Sequence, residues 1–229
     1  MNAQPFQSLV LVGLPYAAIV VFIVGLMWRH QSRNTISSRS SQIMESRALA
    51  WGSIPFHLGI LVIILAHLVP LIIPGRWQAL MANRTALLAV ESAGIAAAVL
   101  CLLGLIVLFV RRTVSRDVRP GSTIADLLVL TILIAQVILG LSIATMYRWG
   151  AVWSAGTTTP YVWSIFTLRP DPSLVLGMPV LLHLHVAGAW LLLALIPFTR
   201  LIHMLSLPVG YLFRAPQKVV FSPRPRVSA

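Results

Sequence analysis

Charged side chains are scarce in this chain. Asp, Glu, Lys and Arg make up 10% of its 229 residues, where a soluble domain carries about 25%. With 58% hydrophobic residues and a mean hydropathy of +0.90, that shortage excludes an ordinary water-soluble fold and implies an integral membrane protein. Cysteine is nearly missing too. The single Cys101 lies in an apolar run, so neither a disulfide framework nor a thiolate zinc site can be built. It reads as a small buried apolar residue. No C-x-x-C-H occurs, which excludes covalently attached c-type haem. Internal repeats, low-complexity segments and a soluble catalytic domain are all lacking. The first 28 residues hold no Lys or Arg, so a cleaved signal peptide with its basic n-region is not expected. Net charge is +12, yet the charges flank hydrophobic runs instead of forming a patch on a soluble domain. No nucleic-acid partner is therefore expected.

What is present is a series of apolar runs. A bilayer core takes about 20 apolar residues in a helix, and five segments qualify: 8–28, 53–73, 86–110, 124–145 and 178–205. The expected fold is all-α, one integral membrane bundle of five transmembrane helices. Pro15, Pro55, Pro70, Pro179 and Pro197 punctuate spans one, two and five, and Pro197 is expected to kink the last span. Arg29, Arg33, Arg39 and Arg47 follow span one, and Arg111, Arg112, Arg116 and Arg119 follow span three. Arg200, Arg214, Lys218, Arg224 and Arg226 end span five and its tail. The opposite side has only Arg76, Arg84, Arg148 and Arg169. By the positive-inside rule the N-terminus lies outside and the C-terminus, with the 206–229 tail, in the cytoplasm.

Four histidines fall inside these spans, His57 and His67 on the second, His185 and His203 on the fifth. An ionisable residue in hydrocarbon is by default a functional candidate. Spans two and five run antiparallel, so depth alone sets His57 opposite His203 and His67 opposite His185. The 18-residue step from His185 to His203 is five helical turns, which puts both on one face; the ten-residue step from His57 to His67 leaves about 80° between them. The axial rises differ, at ~27 Å and ~15 Å. Two helices that each offer two imidazoles suit two haem irons, each held by one histidine from either helix. Histidines that merely pack between helices are the plain alternative. Zinc or copper is another, although such sites usually recruit carboxylate or sulfur, and span two has none beside its histidines. That favours bis-histidine b-type haem.

At these residues the chain resembles a known family, the gamma subunit of respiratory nitrate reductase, a di-haem cytochrome b membrane subunit. The likeness rests on Ser53-Ile-Pro-Phe-His57-Leu-Gly-Ile-Leu with His67 ten residues on, and on Leu184-His185-Val-Ala-Gly188. It continues with Pro197-Phe-Thr-Arg-Leu-Ile-His203 and Leu207-Pro-Val-Gly-Tyr-Leu-Phe-Arg214. Weaker matches are Cys101-Leu, Arg111-Arg112, Ala125-Asp126, and Gln136 with Gly140. The resemblance implies two haem b cofactors, a proximal one on His57 and His203 and a distal one on His67 and His185. It implies oxidation of a quinol, menaquinol or ubiquinol, near the outer face. It also implies two cytoplasmic partners, an iron–sulfur beta subunit and a molybdenum-containing alpha subunit, at a bacterial or archaeal cytoplasmic membrane. Family members carry a basic residue near the outer start of span three that helps bind quinol. Arg84 stands nearest, with Arg in place of Lys. His183 departs from the family pattern, which often has Arg there, and a propionate, the quinone or lipid headgroups are its candidate partners.

Arg111 and Arg112 end span three, where a solvated basic end signals topology; they are also candidates for haem propionates, since Arg pairs bidentately with carboxylates. Glu91 reads as a carboxylate favoured by a helix N-terminus, with a proton-accepting role toward quinol as the alternative. Asp126 follows Ser122 and Thr123 and reads as part of a cap. Gln136 reads as interhelical glue. Trp51, Trp77, Trp149, Trp153 and Trp163 read as interface anchors, and His30 as solvated. Within the class, a cytochrome b subunit of another quinone-linked complex, including one reducing quinone in nitrite oxidation, shares this pattern. From other classes, a histidine-based metal transporter and a haemless anchor subunit compete; five spans without inverted repeats disfavour the transporter.

Overall fold

A computed structural model of the chain describes residues 8–31, 46–115 and 123–205. The Arg-rich 32–45 segment, Arg116, Arg119 and Ser122, and the 206–229 tail with its Leu207–Arg214 motif lie outside the described residues. Within them the regular structure is helical throughout. A π-helical turn, Leu9–Gly13, leads into α1 (Leu14–Gln31); then come α2 (Ser46–Ile72), α3 (Pro74–Met81), α4 (Arg84–Val114) and α5 (Ile124–Met146). Three short helices follow, α6 (Gly150–Gly156), α7 (Thr158–Phe166) and α8 (Ser173–Leu176), and then α9 (Val180–Leu195). Five helical stretches are long and apolar enough to cross a membrane: Leu9–Gln31, Leu49–Ile72, Arg84–Val114, Ile124–Met146 and Val180–Phe198. The five expected spans are thus present in order.

Helix ends follow local chemistry. The Asn83 side chain accepts from the N–H groups of Thr85 and Ala86 at 2.9 and 3.1 Å and starts α4. Thr123 and Asp126 form a reciprocal capping box at the start of α5, satisfying backbone donors that the helix itself leaves unpaired. Asp126 has the expected role, and more. The fifth span departs from expectation. Its α-helix ends at Leu195, and two 3₁₀ segments, Ile196–Phe198 and Arg200–Met204, replace the expected continuous helix to 205. Pro197 has no N–H to give and its ring collides with the carbonyl four residues back. Thr199 between the segments is fully extended, with φ −128° and ψ 178°.

In hydrocarbon, helices associate by close packing of small residues. The α2–α4 seam shows it. A Cβ placed on Gly104 would lie 2.5 Å from Phe56 N and 2.6 Å from Gly52 O, and one on Gly59 2.5 Å from Ala97 O. Cys101 sits fully buried in this seam, in the role expected of it. Beyond α4, the bundle continues through α5 to α9 and from α9 to α1.

The short helices close the end of the bundle opposite Arg111 and Arg112. Tyr161, Ile165 and Val175 are fully buried against Leu11, Leu182, Val186 and Trp190. The Tyr161 hydroxyl donates to Leu11 O at 2.7 Å; burial pushes its pKa up to about 12. Trp77 corrects an expectation. It is buried with Met81 and Ala155 rather than lying at an interface, and its indole N–H donates to Ala151 O at 2.7 Å. Trp153 and Trp163 likewise donate to the carbonyls of Tyr147 and Leu71. Trp51 is exposed.

Candidate functional site

The two histidine-bearing elements face each other without packing closely. α2 rests on α4, while α9 rests on α5 and α1, and α2 with α9 is not among the extensively contacting helix pairs. Across that gap the His57 and His203 rings stand with centroids 6.0 Å apart, and His67 and His185 with centroids 6.2 Å apart. Depth pairs them as the antiparallel order requires.

Three of the four rings are oriented by the backbone. His57 Nδ1 lies 2.7 Å from Ser53 O, His67 Nδ1 2.7 Å from Ile63 O, and His203 Nδ1 2.6 Å from Arg200 O. A carbonyl can only accept, so Nδ1 carries a proton in all three, and Nε2 is the nitrogen left for a metal. That is the tautomer a metal-binding imidazole adopts when its other nitrogen is held by a carbonyl. The i−4 carbonyls of Ser53 and Ile63 come from the helix itself. His185 differs. It is largely buried, and its Nδ1 has no hydrogen-bond partner among the described residues. A buried polar atom left so is costly in an apolar setting. Gly140 of α5 lies beneath this ring, where an added Cβ would come within 3.1 Å of His185 Cε1. Gln136 Nε2 donates to His185 O at 2.6 Å, which is the interhelical role expected of it.

The broken end of the fifth span brings His203 back toward His57. A straight helix would carry it ~27 Å from His185, well past the ~15 Å step on α2. The extended Thr199 redirects the chain. Its Oγ1 donates to Leu195 O at 2.9 Å, ending α9, and accepts from Leu201 N at 3.3 Å, starting the next segment. The carbonyl of buried Pro197 accepts from Arg29 Nη1 of α1 at 2.9 Å. Arg29 and Thr199 therefore help build the site, although in the sequence Arg29 signals only topology. The signal for Thr199 was present, since a threonine hydroxyl readily bonds neighbouring backbone groups at a helix end.

The arginines divide. Arg111 is buried at the end of α4. Arg112 Nη1 pairs with Asp126 Oδ2 at 2.7 Å, and Arg200 Nε with Asp126 Oδ1 at 2.9 Å. Arg84 is exposed at the other end of the 31-residue α4. Glu91 lies beyond the first turn of α4 and favours another helix instead: its Oε1 accepts from Ala151 N at 2.8 Å and caps α6. His183 Nε2 donates to buried Val175 O at 2.7 Å and ties α8 to α9.

Among the described residues no three His, Cys, Asp or Glu side chains converge. The histidine donor sets are pairs, which would fit a haem held by two protein ligands and fall short of the three or four protein ligands a zinc site uses. Five spans around two opposed imidazole pairs define a multi-pass membrane protein organised on the helix carrying His57 and His67 and the span carrying His185 and His203. Residues 7–222 match the family described as nitrate reductase gamma subunit, and the chain belongs to that family of oxidoreductase subunits. It is 32% identical over 210 residues to the nitrate reductase gamma chain of Bacillus subtilis, covering 88% of this chain and 92% of the relative. It is 33% identical over 211 residues to the respiratory nitrate reductase 1 gamma chain of Escherichia coli, covering 90% and 93%. It is also 35% identical over 208 residues to the nitrate reductase-like protein NarX of Mycobacterium tuberculosis. There the match covers 88% of this chain but 32% of the relative, so the chain spans about a third of that protein's length.

Proposed function

We propose that the chain is the di-haem b subunit of a quinol-linked nitrate reductase, with His57 and His203 holding one haem and His67 and His185 the other. The supporting observation is the spacing of the rings. The pairs stand at 6.0 and 6.2 Å between centroids. Imidazole–metal bonds run to about 2 Å, so two rings set apart on this scale would admit one iron between their nitrogens. The orphaned His185 Nδ1 and the open gap between α2 and α9 also suit a group that is bound between them. When bound, each haem would supply one-electron transfer.

The residues of the chain do the rest. Carbonyls of Ser53, Ile63 and Arg200 hold the Nδ1 protons and thereby aim the Nε2 lone pairs. Gly140 leaves room for the His185 ring. Arg111 and Arg112 are candidates for the propionates. The positive-inside rule puts the arginine-rich end in the cytoplasm. That end then docks an iron–sulfur beta subunit and a molybdenum alpha subunit, and menaquinol or ubiquinol is oxidised near the opposite end, which carries Arg84. Release of quinol protons outside with electron delivery inside separates charge across the membrane. The test is His67→Ala in the assembled complex. Quinol-driven nitrate reduction is lost, while reduction driven by a soluble viologen that feeds the partner subunits directly persists. Undiminished quinol-driven activity would overturn the reading.

A further inference from the structure

The ion network at the arginine-rich end reaches into the histidine site. A capping aspartate needs one oxygen, and Asp126 Oδ2 serves Thr123 N at 3.1 Å. The same oxygen also meets Arg112 at 2.7 Å, and Oδ1 crosses to Arg200 at 2.9 Å on a different element. The pair is half-buried rather than wholly solvated, because the Asp126 side chain is 7% exposed while that of Arg200 is 40% exposed. Arg200 opens the five-residue 3₁₀ segment that ends in His203 and Met204. Such short segments hold themselves weakly, so ties at their ends decide how they lie. Here the ties include the Thr199 cap and the Arg200–Asp126 pair, and the His203 ring hangs on the Arg200 carbonyl at 2.6 Å. Three elements, the end of α4, the start of α5 and the segment after α9, meet on one carboxylate.

We propose that Asp126 is a positioning residue for the His57–His203 pair: its carboxylate anchors Arg200, whose carbonyl fixes the His203 ring, and its charge offsets the arginines beside that pair. Groups behind a metal ligand tune both its orientation and the metal's potential. The inference rests on the haem reading above. Removing the negative charge takes one counter-charge away from Arg112 and Arg200, which favours the reduced, less positive iron.

The experiment is a redox titration of the haem-loaded complex, followed optically and by electron paramagnetic resonance, with Asp126→Asn against the parent. Asparagine keeps an oxygen for Thr123 N but loses the charge. The two haems are assigned with His203→Ala and His67→Ala. The expected result is about a tenfold shift toward the reduced form for the His57–His203 haem, ~59 mV for a one-electron couple. Its low-spin signal changes, while the His67–His185 haem stays put. Asp126→Glu restores the signal part-way. An unchanged midpoint and spectrum, or an equal shift of both haems, would overturn the proposal. If Asp126→Asn fails to assemble, Arg200→Lys carries the test: it keeps the charge but loses the Nε contact, so an altered signal from the same haem supports the proposal and an unaltered one overturns it. A parent protein without haem would overturn the functional reading and this proposal together, whereas a haem-loaded parent with a silent Asp126→Asn overturns this proposal alone.

Discussion

Gly104→Ala adds one methyl group where α2 and α4 touch. The new Cβ would lie 2.5 Å from Phe56 N, 2.6 Å from Gly52 O and 2.9 Å from Phe56 Cα. These are backbone atoms, which cannot rotate aside. Ordinary contact begins at 3.4 Å, so α2 must retreat by about 1 Å. Overpacking of this kind costs about 1–3 kcal/mol. A gap of that size along the seam also forfeits a quarter to a half of each van der Waals contact there. Alanine's helix preference over glycine returns at most about 1 kcal/mol. The expected net loss is about 2 kcal/mol. Because His57 follows Phe56, the same movement shifts its ring relative to His203. Gly94→Ala in the same helix is the control, since nothing lies within 4 Å of its added Cβ; it is expected to be neutral or mildly stabilising. Denaturation in detergent, read together with the haem spectrum, measures both effects. A Gly104→Ala protein as stable as the parent, with an unchanged spectrum, would refute the close-packed seam.

Gly140→Val presses on the His185 ring, already 3.1 Å from an added Cβ, and is expected to alter the spectrum of the His67–His185 haem before it alters stability. Glu91→Ala removes the acceptor for Ala151 N and should loosen the cap by about 1–2 kcal/mol, seen as faster proteolysis of the 146–177 segment with haem content unchanged; Glu91→Gln, which keeps an acceptor, should behave as the parent. Arg29→Met takes away the donor to Pro197 O, a charge-assisted bond worth about 1.5–3 kcal/mol, and is expected to lower occupancy of the His57–His203 haem alone in a haem assay.

The spans and the depth pairing of the histidines were legible because hydrocarbon imposes both: apolar length marks a crossing, and antiparallel order fixes which imidazoles meet. The cap at Thr123 and Asp126, the buried Cys101 and the glue at Gln136 were legible from local chemistry alone. The end of the fifth span was not. Pro197 announced a disturbance, but whether it bends a helix or ends it depends on what receives the released carbonyl, here Arg29 from a distant helix. The mismatch of ~27 against ~15 Å in rise was the visible trace of that break. The roles of Glu91, His183 and Trp77 were hidden for the same reason. Each bonds a backbone group 8 to 74 residues away, and no periodicity in sequence records such a partner.

In the proposed function the two histidine pairs are haem seats. A pyridine haemochrome assay on detergent-purified complex, quantified per copy of this chain, tests it most directly. About two b-type haems per chain are expected, falling to one in His57→Ala and in His67→Ala. Protein assembled with its partners under haem-replete conditions, yet carrying no haem, would contradict it.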